Sequence, residues 1–142
     1  MISFLALTLI LIFVSISSLH FYWAFGGRKW KNFAIPTRSI APTIPLFNPG
    51  FFETLVVAIG LLIFAWIIGM NAQLFPIVRL TPSYVTSATF GIALIFLLRA
   101  IGEFKYVGFF KRVKGTSFSQ MDSLYYSPIC LFIAISSLII NT

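Results

Sequence analysis

The sequence has 142 residues, of which 59% are hydrophobic and 9% are charged, and its formal net charge is +7. A chain with this composition lacks the polar surface that a soluble domain needs. Its length allows one domain. The positive charge flanks apolar blocks and no nucleic-acid-binding motif is present. Nucleic acid is therefore excluded as a partner, and the anionic headgroups of a lipid bilayer at the basic loops are favoured.

Four long apolar blocks predict membrane-spanning helices at residues 2–25, 53–72, 83–104 and 124–140. With a rise of about 1.5 Å per residue, each block crosses or nearly crosses a hydrocarbon core about 30 Å thick. We therefore predict an all-α fold, an integral membrane four-helix bundle of up-down topology that forms a single transmembrane domain over residues 1–142.

Nine of the ten basic residues lie at one end of the predicted bundle. The Pro-rich loop 26–52 and the basic loop 105–121 carry four each, Arg99 lies near the same end, and only Arg79 lies at the other. The positive-inside rule therefore predicts that both loops are cytoplasmic and that the N- and C-termini are outside.

The first apolar block is predicted to be a retained span rather than a cleaved signal peptide. No basic region precedes it, no convincing small-residue cleavage site ends it, and Arg28 and Lys29 come shortly after it. This order of charge is typical of a first span whose N-terminus faces outward.

The loop 26–52 is the least membrane-like part of the sequence. It contains Pro36, Pro42, Pro45 and Pro49, which exclude a long helix. Loops of this length in small proteins are more often functional than idle, so we interpret this one as a cap over the cytoplasmic mouth of the bundle. A mobile linker is the alternative interpretation.

Polar side chains converge at the end of the bundle that holds the two basic loops. Charged groups within spans usually turn inward, because exposing them to lipid is costly. We therefore predict a polar pocket at the cytoplasmic end, with aromatic side chains at its rim. The candidate ligand-binding residues are His20, Trp23, Glu53, Arg99, Glu103, Asp122, Tyr125 and Tyr126.

Each of these residues also has a purely structural interpretation. Glu53 and Asp122 could cap helix N-termini, and the aromatic residues could form an interfacial belt. Arg99 could extend toward the headgroups or pair with Glu103, four residues away on the same helix. His20 is harder to explain, because an imidazole inside the membrane needs a polar partner. We predict that His20 faces inward, beside Glu53, Glu103 or Asp122.

The fourth span is predicted to start at Asp122 or Ser123, either of which is a good N-cap. Pro128 then falls in the second turn and leaves the carbonyl of Leu124 without its usual partner. In lipid, such a carbonyl must be satisfied by protein, water or ligand. The single cysteine, Cys130, excludes an intrachain disulfide and is interpreted as a packing residue.

Three segments resemble the motifs of one family: 20–27 (HFYWAFGG), 99–111 (RAIGEFKYVGFFK) and 122–130 (DSLYYSPIC). The family comprises small bacterial membrane proteins and is catalogued as domain of unknown function 3995. The resemblance covers nearly the whole chain and implies a four-span protein of the bacterial plasma (inner) membrane. It implies no activity, but it marks residues that the physical argument also selects: His20, Trp23, Arg99, Glu103 and Asp122.

No motif of a known catalytic site is present, and whether the chain is an enzyme stays open. The histidine and the three acids lack the paired helical spacing of bundle metal sites, so no metal and no other cofactor is predicted.

Three functions stay open. In the first, the pocket binds a small amphipathic or anionic molecule, with Arg99 holding the anion and His20 transferring a proton with Glu103 or Asp122. In the second, the chain is a structural or accessory subunit without its own activity. In the third, it is a proton-coupled transporter that acts as a homodimer. Ala65-x-x-x-Gly69 and Ser87-x-x-x-Gly91 offer small-residue packing faces for the homodimer, and packing within the bundle explains these motifs equally well.

Overall fold

The computed structural model of this chain describes residues 1–38, 44–75 and 82–141. The regular structure of these residues is helical, apart from one antiparallel β-bridge between Thr37 and Pro45. In chain order the elements are α1 (Ile2–Ala24), α2 (Lys31–Ala34), α3 (Phe51–Asn71), α4 (Pro82–Ile101), α5 (Ser117–Met121), a π-helical turn (Asp122–Tyr126) and α6 (Ser127–Ile140).

Four helical stretches of the described chain are long and apolar enough to cross a membrane. They are α1, α3, α4 and the unbroken run Ser117–Ile140, with 23, 21, 20 and 24 residues. At about 1.5 Å per residue, even the shortest matches a hydrocarbon core about 30 Å thick. The prediction of an integral membrane protein with four apolar helices is therefore confirmed.

The core joins all four long helices through apolar side chains. Its fully buried members include Leu9 and Phe13 of α1, Ile68 of α3 and Ile133 of α6. The ring of Phe13 packs against that of Phe96 of α4, with centroids 5.5 Å apart. Large apolar side chains also cover the outside of the helices, as expected of surfaces that face lipid rather than water.

Side-chain contacts show which helix ends lie together. Arg99, near the end of α4, contacts Asp122 at the start of the π-helical turn, with 2.9 Å between nitrogen and oxygen. Away from this contact, Asn71 at the end of α3 donates a hydrogen bond of 3.1 Å to the side chain of Asn141. Inside the bundle, the Ser17 hydroxyl donates to the carbonyl of Ala58 over 2.7 Å and ties α1 to α3.

The last long helix begins earlier than predicted. Its first residue is Ser117, and its N-cap is Thr116, whose hydroxyl accepts a hydrogen bond of 3.1 Å from the backbone N–H of Ser119. The predicted N-cap at Asp122 or Ser123 is therefore wrong. Thr116 accepts a hydrogen bond from a backbone N–H of the first turn that has no partner within the helix. The carboxylate of Asp122 forms ion pairs with Arg99 and Lys111 instead.

The π-helical turn ends two residues before Pro128. The N–H of Ser127 bonds to the carbonyl of Asp122, five residues earlier, rather than to the carbonyl four residues earlier. A proline has no N–H to continue the regular ladder, and a widened turn is a common way to accommodate the break. The helix therefore passes through Pro128 and continues to Ile140.

The end of α4 also differs from the predicted span. The helix stops at Ile101, and Gly102 and Phe104 adopt the left-handed conformation, with φ of 83° and 67°. The chain therefore leaves the helix before residue 104. Two residues used in the sequence arguments, Pro42 and Arg79, lie outside the described residues.

Candidate functional site

The centre of the site is the carboxylate of Asp122, which is fully buried. One oxygen accepts a hydrogen bond from Nη2 of Arg99 at 2.9 Å. The other accepts from Nζ of Lys111 at 3.0 Å and from the backbone N–H of Gly108 at 2.9 Å. We call Arg99, Gly108, Lys111 and Asp122 the polar cluster. Its four hydrogen-bonding groups come from α4, from the following loop and from the π-helical turn.

Lys111 is a member of this cluster that the sequence argument missed, because it counted the residue among the basic charges of a loop. Only 2% of its side chain is exposed. Its Nζ donates to Asp122, to the carbonyl of Gly108 at 3.0 Å and to the hydroxyl of Ser123 at 2.7 Å. These contacts use all three donors of an ammonium group. The available signal was that Lys111 closes the segment 99–111, which resembles a family motif.

Two glycines allow the loop after α4 to reach Asp122. Gly102 and Gly108 both have positive φ, 83° and 89°. A Cβ atom on Gly102 would lie 1.8 Å from the carbonyl oxygen of Val107, and one on Gly108 would lie 2.3 Å from that of Ile101. The loop thus crosses itself at a contact that only glycine permits, and the crossing directs the N–H of Gly108 to the carboxylate.

Arg99 uses only part of its guanidinium in the polar cluster. Nη2 is bonded to Asp122, whereas Nη1 is shielded from solvent and has no hydrogen-bond partner among the described residues. About a third of the side chain is exposed, at 33%. The alternative prediction of a surface ion pair with Glu103 is wrong. Because the helix ends at Ile101, Glu103 turns away and its carboxylate accepts from the backbone N–H of Tyr106 instead.

A cavity of about 570 Å³ adjoins the polar cluster between the long helices, and we call it the main cavity. Its wall is largely apolar and includes Leu61, Phe64, Phe96, Ile129 and Ile133. The lining residues that carry polar side-chain groups include His20, Trp23, Arg99 and Tyr126. In the described part of the chain, the cavity therefore combines a wide apolar space with one arginine or lysine side chain.

A second space, the small cavity, has about 260 Å³ and is enclosed partly by the Pro-rich loop. Lys31, Phe47 and Pro49 of that loop border it, together with Glu53 of α3. His20, Trp23, Ala34 and Val57 border both cavities. The two spaces therefore adjoin at the end of α1, and the described part of the loop covers that region.

His20 does not have the acidic hydrogen-bond partner that we predicted. Its Nδ1 lies 2.8 Å from the carbonyl of Ile16, and because a carbonyl only accepts, Nδ1 carries the proton. The ring also packs edge-on against Trp23, with 5.1 Å between centroids. Of the three acids, Glu53 is the one that shares a cavity wall with His20. The other ring nitrogen of His20, Nε2, has no hydrogen bond to any described residue.

The remaining candidates divide into two groups. Tyr126 borders the main cavity, and its hydroxyl donates to the carbonyl of Phe33 in the Pro-rich loop over 3.3 Å. Glu53 lies in the first turn of α3, where a carboxylate complements the helix dipole, and it is exposed. Glu103 and Tyr125 are exposed and border neither cavity. The cavities and the polar cluster thus bring together six of the eight predicted residues.

Comparison with known proteins gives one match. The profile of a family described as "Protein of unknown function (DUF3995)" matches residues 13–137. No curated protein and no solved structure matches the chain.

Proposed function

We propose that this chain, which belongs to the DUF3995 family of proteins of unknown function, binds a small amphipathic molecule in its main cavity. The observation that carries the proposal is the cavity itself, which has about 570 Å³, a largely apolar wall and, among the described residues, Arg99 as its one lysine or arginine. Ligand pockets typically have about 300–1,000 Å³ and are lined by apolar and aromatic groups with a few polar groups that fix orientation.

The unused hydrogen-bonding capacity of Arg99 supports a bound acceptor. A buried donor without a partner costs about 1–3 kcal/mol, and more when it is charged. Nη1 of Arg99 is such a donor among the described residues. A ligand with an oxygen acceptor at this position would remove that cost, while its apolar part would lie against the cavity wall that includes Phe64 and Phe96.

We place the cavity at the cytoplasmic end of the bundle, with both termini outside and the chain in a bacterial plasma membrane. This assignment follows from the basic loops 26–52 and 105–121, which would also contact anionic lipid headgroups. Reporter fusions at the two termini test it: a reporter active only outside the cytoplasm should function at both, and a cytoplasmic signal at either would overturn the assignment.

Glycine substitutions in two helices test the proposed ligand. Gly60 borders the main cavity, and a Cβ atom there would meet nothing within 4 Å. Gly91 has equally open space but borders neither cavity, so it supplies a matched control. Native mass spectrometry of protein from native membranes should show a bound small molecule in the wild type and in Gly91→Leu but not in Gly60→Leu. A wild type without any ligand, or a ligand retained equally in both variants, would contradict the proposal.

A structural role without a ligand is the second candidate function, and the polar cluster favours it. Asp122 and Lys111 satisfy each other within the protein, with help from Gly108 and Ser123. Such a network could serve to fix the loop and helix packing of an accessory subunit. This alternative predicts that the chain purifies from native membranes with one stoichiometric protein partner and with an empty cavity.

A further inference from the structure

We infer that the molecule in the main cavity is an amphiphile with one negative charge, which pairs with the guanidinium of Arg99. A long-chain carboxylate is the simplest member of this class, and a single-chain phosphodiester shares its chemistry. The inference rests on the proposed function above and adds the charge of the ligand to it. It follows from a complete count of the charges near the polar cluster.

The polar cluster has an excess of one positive charge. Arg99 and Lys111 supply two cations, and Asp122 supplies one anion to both of them. Lys111 and Asp122 are both buried and balance each other, so the excess charge belongs to Arg99, whose Nη1 is shielded from solvent although 33% of the side chain is exposed. An uncompensated charge next to an apolar space is costly, and one additional anion would balance it.

The protein has no other carboxylate side chain with which to balance this charge. The whole sequence contains three acidic residues. Glu103 is exposed and accepts from the backbone of Tyr106, while Glu53 is exposed and borders the small cavity only. Neither forms an ion pair with a described residue. No carboxylate side chain of the protein therefore balances this charge, whereas an anion from outside the chain would.

The lining of the main cavity sets the limit of one charge. Among the described residues, Arg99 is the only lysine or arginine that borders it. Lys31 borders the small cavity, and Lys111 uses all three of its donors within the cluster. The other polar groups, from His20, Trp23 and Tyr126, can donate or accept hydrogen bonds to a headgroup. A headgroup with two negative charges would have only Arg99 as a cationic partner among the described residues, so one of its charges would stay unpaired.

The planar fork of Arg99 suits this task. Nη2 is held by Asp122, and neither Nη1 nor Nε has a hydrogen bond to a described residue. A guanidinium can bond a different anion along each edge, which an ammonium cannot do with the same geometry. The apolar wall beside it would then hold the hydrocarbon part of the amphiphile.

Bromine quenching of Trp23 tests the inference, because this side chain borders the main cavity. The variant Trp30→Phe/Trp66→Phe leaves Trp23 as the single tryptophan of the chain. In nanodiscs of zwitterionic lipid at alkaline pH, where a carboxylate is ionised, 9,10-dibromostearate should quench Trp23 saturably. 9,10-Dibromostearyl alcohol should bind at least about tenfold more weakly, because it lacks the charge-assisted hydrogen bond.

Variants and competitors complete the design. Arg99→Met should remove the preference for the carboxylate over the alcohol, whereas Arg112→Met, at an exposed arginine of the loop after α4, should retain it. Arg99→Lys, which keeps a positive charge beside Asp122, should fold and still lose most of the preference. Displacement by unbrominated stearate or by lysophosphatidylglycerol distinguishes a carboxylate site from a phosphodiester site. The dianion octadecyl phosphate should displace less effectively than either.

The outcomes separate the two proposals. Equal saturable binding of carboxylate and alcohol in the wild type would overturn the charge inference and leave the proposed function standing. Tighter binding of octadecyl phosphate would overturn the limit of one charge. No saturable quenching by either brominated probe would overturn both. The wild-type comparison needs no substitution at Arg99, so the inference stays testable even if Arg99→Met fails to fold.

Discussion

Replacing Asp122 by Asn should destabilise the protein strongly, although the two side chains have the same shape. The change removes the only negative charge that the described residues place in contact with Arg99 and Lys111. Both cations then lack a counter-charge from these residues. Breaking a buried ion pair by removing one partner costs about 3–5 kcal/mol. Most of this cost should come from Lys111, whose side chain is 2% exposed, because Arg99 is 33% exposed and can turn toward water or headgroups.

The measurement is the free energy of unfolding in mixed micelles, from a denaturing-detergent titration followed by circular dichroism. Asp122→Asn should lose about 3–5 kcal/mol, and the control Glu103→Gln should stay within about 0.5 kcal/mol because that carboxylate is exposed. Adding Lys111→Met to Asp122→Asn removes the uncompensated ammonium and should restore at least half of the loss. A loss below about 1 kcal/mol for Asp122→Asn, or no restoration by the second change, would refute the reasoning.

Three further predictions test the loop, the cap and the cavity. Gly108→Ala should cost more than Gly26→Ala in the same titration, because both glycines have positive φ but only at Gly108 would a Cβ atom meet backbone; equal losses would contradict this. Thr116→Ala should lose about 1 kcal/mol through loss of the N-cap, whereas Thr86→Ala on the exposed face of α4 should change little; equal effects would argue against the cap. Stearate should slow alkylation of Cys130, the one cysteine, by a small membrane-permeant maleimide, since Cys130 borders the main cavity; an unchanged rate would place the probe elsewhere.

The spans and the convergence of Arg99 with Asp122 could be predicted because both depend on simple regularities. Long apolar blocks identify spans without any knowledge of tertiary structure. Arg99 lies near the end of one predicted span and Asp122 near the start of the next, so both belong to the same end of the bundle. Arg99 and Asp122 belong to consecutive long helices, and the end of one such helix and the start of the next lie at the same end of the bundle.

The errors arose where loop conformation decides the outcome. The sequence argument placed Glu103 on a helix face. In the structure the left-handed Gly102 ends the helix before Glu103, so the Glu103 side chain does not share a helix face with Arg99. Lys111 was assigned to a solvated loop, but the crossing at Gly108 folds that loop back onto Asp122. Thr116 was overlooked as an N-cap because the start of the fourth apolar block was equated with the start of the helix. Positive φ and backbone crossings have no hydrophobic period from which they could be predicted.

The site makes best physical sense if the two cations have different tasks. Lys111 is enclosed and fully hydrogen-bonded, so its charge and that of Asp122 balance within the protein. The same carboxylate also holds Nη2 of Arg99, which fixes the guanidinium without cancelling its charge. Because a guanidinium is planar and always charged, anchoring one edge leaves the other available at a defined orientation beside the main cavity. A purely structural ion pair would need one cation; the second one, held at the wall of an apolar space, is what a binding site for an amphiphilic anion requires.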